Sequence, residues 1–279
     1  MPSPTPEPIP TVGLNEVKDS PVAISLSDAP AGDRNFVNKS IIRGAGLSEE
    51  PHRKVRRILY IFAGRERQSD IKSYLQQIFK DRFREEVLEV VELDIKRDLA
   101  HDLMNDVLYQ KLLGEVARGK YDFILASPPC ETWSRALFAN RNGPRPLRDS
   151  RHPWGFPWLE GESFQKCFIG SELVRRTLAI LRATIGTNTG WLLEHPEDLG
   201  VRKNQRDPAS IWPLEPTRDL VKDTDGETAA CLQCHFEATE KKPTRWAGKA
   251  VGMKKIGPLG WPTFSKHRRY RGSPPPYLR

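Results

Sequence analysis

The stretch Phe123-Ile124-Leu125-Ala126, followed at once by Ser127-Pro128-Pro129-Cys130, most narrows what this chain can become. Four apolar residues bounded by turn formers are too short for a helix and read as a buried strand. Two prolines then end the hydrogen-bond ladder and stiffen the backbone beyond it. Cys130 therefore stands on a rigid loop at the carboxyl end of a strand, which is where open α/β sheets carry their ligands. A thiol held there is a nucleophile once a neighbour lowers its pKa or takes its proton. The same cysteine also fits a small buried hydrophobe.

Strand and helix patterns alternate around that run. Residues 58–62 read as a first strand and 87–91 as a second. Between them Ile71, Tyr74, Leu75, Ile78 and Phe79 have helical spacing, with Ser69 as the expected cap. Asn105 is the expected cap of a helix carrying Val107, Leu108, Leu112, Leu113 and Val116. A long helix is predicted over 162–184, with Cys167 in its core face, and a strand over 191–194, stopped by His195-Pro196. This alternation predicts a Rossmann-like α/β domain with a largely parallel sheet over 53–200. Beyond it the pattern weakens to one helical turn at 208–212, short strands at 229–236 and 244–247, and an irregular tail. Residues 1–52, rich in Pro, Ser and Asp, read as a disordered leader, and 201–279 as a small basic extension.

Charge separates these regions. The chain carries a net +8, yet residues 1–50 hold four Lys or Arg against seven Asp or Glu. Residues 241–279 hold eleven Lys or Arg and no acid, so the positive field lies at the C-terminus and nucleic acid is its natural partner. No apolar run is long enough to span a membrane. The N-terminus lacks the basic start and apolar stretch of a secretory signal. Four cysteines in 279 residues do not form a disulfide scaffold, which favours a reducing, intracellular setting, nucleus or cytoplasm. A monomer is the default expectation.

Other strand ends carry chemistry too. The first strand runs into Phe62-Ala63-Gly64, a glycine turn that lets a ligand approach the backbone. The second ends in Glu92-Leu93-Asp94, where an acid can accept hydrogen bonds from both ribose hydroxyls of a nucleoside. Glu92 and Asp94 lie two apart and so share a face. Asp102 fits either an adenine amine or the N-terminus of the next helix. Glu194, at the tip of the 191–194 strand, is placed to hold or donate a proton. In this fold class the tips bearing Cys130 and Glu194 converge. The segment after Cys130 adds Arg135, Arg141, Arg145, Arg148 and Arg151, with Trp154, Phe156 and Trp158. Arginines suit phosphates and aromatic rings suit displaced bases.

The order Phe-x-Gly, strand-tip acid, Asp-containing loop, Pro-Pro-Cys and Glu-x-Pro resembles the S-adenosylmethionine-dependent cytosine-5 DNA methyltransferases over residues 58–197. The resemblance implies a class I methyltransferase fold, S-adenosylmethionine as cofactor and DNA as partner. It implies that Cys130 attacks carbon 6 of cytosine and that Glu194 holds nitrogen 3. Carbon 5 then takes the methyl group, loses its proton and expels the thiol. Phe62, Gly64 and Pro128 would line the cofactor, with Glu92 or Asp94 on its ribose and Asp102 near its adenine. A stacked base must leave the duplex for such chemistry. The chain departs from the family pattern at Gly64-Arg65-Glu66, which has few glycines, and at Glu194-His195-Pro196. The Gln-Arg-Arg-x-Arg motif is absent, and Lys242 or Arg245 is the candidate replacement cation. Two other readings stay open: an inactive nucleic-acid-binding module of the same fold, and a methyltransferase acting on RNA or another base.

Cys231-Leu232-Gln233-Cys234-His235 has the form Cys-x-x-Cys-His. Haem attachment needs export, and a zinc site would need a fourth ligand such as His267. Cysteines on a buried strand are the favoured reading, and no metal is expected.

Overall fold

A computed structural model describes residues 54–139, 142–199, 207–236, 238–239, 242–258 and 260. The leader assigned to 1–52 and most of the basic tail lie outside these residues. Six strands form one mixed, mostly parallel sheet in the order β2-β1-β3-β4-β6-β5. They are β1 (Lys54–Ile61), β2 (Glu86–Leu93), β3 (Phe123–Ala126), β4 (Gly190–Pro196), β5 (Glu227–Leu232) and β6 (Pro243–Lys249). The pairs β1/β2, β1/β3 and β3/β4 are parallel, and β6 runs antiparallel to both β4 and β5.

The helices are α1 (Ile71–Arg82), α2 (Asp106–Ala117), α3 (Ala136–Ala139), α4 (Gly161–Arg182), α5 (Glu215–Asp223) and α6 (Met253–Ile256). The chain steps from β1 outward to β2, then crosses back past β1 to β3. Right-handed crossovers in opposite directions put α1 on one face and α2, α4 and α5 on the other. Accordingly α4 packs against α2 and α5, whereas α1 packs on β2. The core lies under the three-helix face. Leu59, Ile61, Ile124, Trp191 and Leu193 from the strands meet Val116 of α2, Leu181 of α4 and Leu220 of α5.

Several elements differ from the sequence-based expectation for identifiable reasons. The N-cap of α1 is Asp70, whose Oδ1 accepts from Ser73 N at 2.9 Å, rather than Ser69. Asn105 caps α2 as expected. Strand β1 starts at Lys54, earlier than the apolar run, because Arg56 and Arg57 find acids across the sheet. Arg56 bonds Glu86 at 2.8 Å and Asp122 at 3.0 Å, and Arg57 bonds Glu89 at 2.8 Å.

The sheet also continues past residue 200. Residues 208–212 form no helix; Ile211 and Trp212 are instead fully buried in the core. The next helix is α5, with Pro in its first turn. Strand β4 extends through His195 and Pro196 because its last three residues pair with β6 after β3 has ended opposite Leu193. Strand β5 stops at Leu232, and a 3-10 turn covers Gln233–Phe236. Among the described residues no helix is long and apolar enough to cross a membrane.

Candidate active site at the strand tips

The sheet order reverses between β1 and β3, and the crevice at such a switch point is where open α/β sheets hold ligands. The carboxyl ends of β1, β2, β3 and β4 bring together four short segments there: 62–64, 92–94, 127–130 and 194–196.

The β1 and β2 tips are clasped. Leu93 O accepts from both Phe62 N at 2.8 Å and Ala63 N at 3.2 Å. Phe62 has φ +65°, rare for a bulky residue, and Gly64 has φ +74°. Such strain persists only where surrounding bonds over-determine the backbone, and it concentrates at functional sites. Here Asp94 supplies those bonds. Its Oδ2 accepts from Gly64 N and its Oδ1 from Lys96 N, both at 2.8 Å.

Glu92 is held differently. Its Oε2 bonds Arg97 Nη1 at 2.7 Å and lies 3.4 Å from Lys72 Nζ. Its Oε1 is buried with no hydrogen-bond partner among the described residues. Arg97 also donates to Gly64 O at 2.6 Å, so one guanidinium ties both tips. The two acids therefore divide the work: Asp94 braces the turn, and Glu92 keeps an acceptor available. Asp102 ends a 3-10 turn, Leu99–His101, and its Oδ1 accepts from Met104 N at 2.8 Å.

On β3, Ser127 N donates to Ile61 O at 3.2 Å, Pro128 is buried and Pro129 is exposed. Cys130 is half-buried and opens a turn in which Trp133 N donates to Cys130 O at 3.0 Å. Burial pushes its thiol pKa up, Lys242 pulls it down and Glu194 pushes it up. Cys130, Glu194 and Lys242 are thus electrostatic neighbours. Lys242 Nζ lies 3.3 Å from Glu194 Oε1. Tyr60 stands on the same sheet face, since β1, β3 and β4 are in register at Tyr60, Leu125 and Leu192. Burial pushes its phenol pKa up, the Ser127 side chain pulls it down, and the charges of Glu194 and Glu92 push it up.

The residues expected to meet nucleic acid do not form one surface. Arg245 points inward. It bonds Glu197 in a bidentate pair at 2.9 and 2.8 Å and also bonds Thr228 Oγ1 at 3.0 Å. Register explains this: Arg245 pairs with His195, on the opposite face from Glu194. Of the two candidate cations, only Lys242 reaches the site. Arg148 is also buried rather than presented to phosphate. Arg145 and Arg151 are exposed, Arg135 is half-buried, and Arg141 lies outside the described residues.

Of the three loop aromatics only Trp158 is exposed, stacked on buried Phe156 at 4.8 Å; Trp154 lies against Trp133. Sequence reasoning missed Tyr60, Lys72 and Arg97. An apolar run hides the tyrosine, the polar face of α1 hides Lys72, and a charged loop hides Arg97.

Cys167 is buried in α4, as its place in an apolar face suggested, and Cys231 is buried in β5. Among the described residues no group of three or more His, Cys, Asp or Glu is arranged to hold a metal ion. A scan against protein-family models finds no matching family, and a search of curated proteins finds no match.

Proposed function

We propose that the chain is a class I, S-adenosylmethionine-dependent DNA methyltransferase acting on carbon 5 of cytosine through a covalent Cys130 intermediate. The observation that carries this reading is the meeting of a thiol, a carboxylate and an ammonium at adjacent tips, with Lys242 3.3 Å from Glu194 and both acting on Cys130. They lie across the switch point from a strained glycine turn and a buried acid with an unused acceptor.

The residues fit the cofactor's chemistry. Glu92 Oε1 is a charged acceptor suited to a ribose hydroxyl, Gly64 leaves the turn open to a ligand, and Phe62 and Pro128 flank it. S-adenosylmethionine, when bound, supplies an electrophilic methyl group. Cys130 forms a bond to carbon 6 of the extruded base while Glu194 gives a proton to nitrogen 3, which raises electron density at carbon 5. Once carbon 5 had taken the methyl group, loss of its proton to solvent and cleavage of the carbon–sulfur bond would release the Cys130 thiolate, and the nitrogen 3 proton would return to Glu194. Lys242 holds Glu194 in place and offers a donor to the base, the role left open by the missing arginine motif.

The resting thiol is protonated because burial disfavours its charge, so attack is coupled to loss of that proton. The exposed cations Lys249, Lys254 and Lys255 belong to the basic run that supports a polyanionic partner.

The test is incubation of the protein with methyl-labelled S-adenosylmethionine and DNA containing 5-fluorocytosine. Fluorine cannot leave as the proton does, so a labelled, denaturation-resistant adduct is expected, and it disappears in Cys130→Ser. Cofactor binding without an adduct redirects the reading to RNA or another base. Neither binding nor adduct favours a binding module.

A further inference from the structure

The loop after Cys130 is organised around one buried cation. Arg148 is 1% exposed. Its Nη2 donates to Thr132 Oγ1 at 2.8 Å and to Cys167 O at 3.0 Å. Its Nη1 donates to Pro153 O at 2.8 Å and to Ser171 Oγ at 3.2 Å. No carboxylate pairs with it among the described residues.

Its guanidinium lies over the Trp133 ring, 3.9 Å from the centroid. Trp133 meets His195 edge-on at 6.2 Å, and His195 meets Trp212 at 6.3 Å. This column starts three residues after Cys130 and reaches the residue next to Glu194. Gly170 makes room for it, since a Cβ there would lie 2.7 Å from Thr132 Oγ1 and 3.5 Å from Arg148 Nη2.

Stability does not account for the choice. A buried guanidinium carries a desolvation cost, and apolar residues of similar volume usually do as well or better. Arginine is favoured where several bonds and a stacking plane must be held at once, because its planar fork presents five donors in fixed geometry.

We propose that Arg148 is a positioning residue that sets the separation of the Cys130 thiol and the Glu194 carboxylate. It clamps Thr132 to α4 and presses Trp133 onto His195, so the β3 and β4 tips keep one spacing. The inference rests on the roles given to Cys130 and Glu194 above. A displacement of about 1 Å at reacting groups costs on the order of 100-fold in rate. Lysine preserves the charge but neither the four bonds nor the stacked plane.

The test is a cycle on the Cys130 thiol pKa, read from the pH dependence of iodoacetamide alkylation, with and without Glu194→Gln, in wild-type and Arg148→Lys backgrounds. In the wild type, Glu194→Gln is expected to lower the thiol pKa, and in Arg148→Lys that shift is expected to shrink or vanish. Trapping of 5-fluorocytosine DNA should slow about 10- to 100-fold while cofactor affinity stays within about twofold. An unchanged shift in a folded Arg148→Lys protein overturns the proposal. So does a fall in trapping that only tracks lost cofactor affinity and a lower melting temperature. If Arg148→Lys does not fold, Trp133→Phe carries the same cycle with the same two outcomes. A parent without any adduct, but with the shift lost in the variant, would sink the cytosine-5 DNA reading and leave the positioning role standing.

Discussion

Lys242 Nζ sits 3.3 Å from Glu194 Oε1, and both charges act on the half-buried thiol of Cys130. The lysine immediately precedes β6, the only one of the six described strands that runs against the others, so the antiparallel return of the chain delivers a cation to a tip where parallel strands deliver an acid and a thiol. Their opposite effects on the thiol can be separated. At fixed pH near 8, Lys242→Gln should slow alkylation of Cys130 and Glu194→Gln should speed it, each by several-fold. Equal rates in both variants would show that the three groups do not share a site.

Glu92 and Asp94 lie two apart on the same strand tip, yet of the two only Glu92 has a buried oxygen without a hydrogen-bond partner among the described residues. Hydrogen bonds to a charged acceptor are worth about 1.5–3 kcal/mol, so Glu92→Gln should weaken S-adenosylmethionine binding at least 10-fold. Calorimetry with the folded variant checks this. Asp94→Asn should instead loosen the Gly64 turn, visible as faster amide exchange there.

Arg245 and Glu197 form a buried bidentate pair, with side chains 5% and 2% exposed. Glu197→Ala leaves a buried guanidinium uncompensated and should cost about 3–5 kcal/mol in urea unfolding. Replacing both partners by leucine should recover most of that loss.

His195 is buried among Trp133 and Trp212, and neither ring nitrogen is bonded among the described residues. Burial, reinforced by Lys242 and Arg148, pushes its pKa from 6.5 to about 3. The folded state keeps it neutral while the unfolded chain takes up a proton below about pH 6.5. Its contribution to stability is therefore present above that pH and is lost as pH falls toward about 3. Unfolding free energy should drop by up to about 1.4 kcal/mol per pH unit between roughly pH 6 and 5, and His195→Phe should flatten that slope.

The sequence by itself determined the local facts: strand β3 and its Pro-Pro stop, the Asn105 cap, the length of α4, and the placing of Gly64 and Cys130 just beyond strand ends. Each follows from near neighbours, through apolar period, backbone donors and turn chemistry. Tertiary structure alone decided which charges are buried and where they face. Arg56 and Arg57 enter a strand because acids 30 and 32 residues away lie beside them on the neighbouring strand. Lys242, just before β6, and Arg245, three residues on within it, end on opposite sheet faces and meet Glu194 and Glu197 respectively. Arg148 looks like a phosphate-binding loop residue until the fold surrounds it with carbonyls, hydroxyls and an indole. A charged side chain is settled by long-range partners, since desolvation must be offset by groups that only the folded chain brings near.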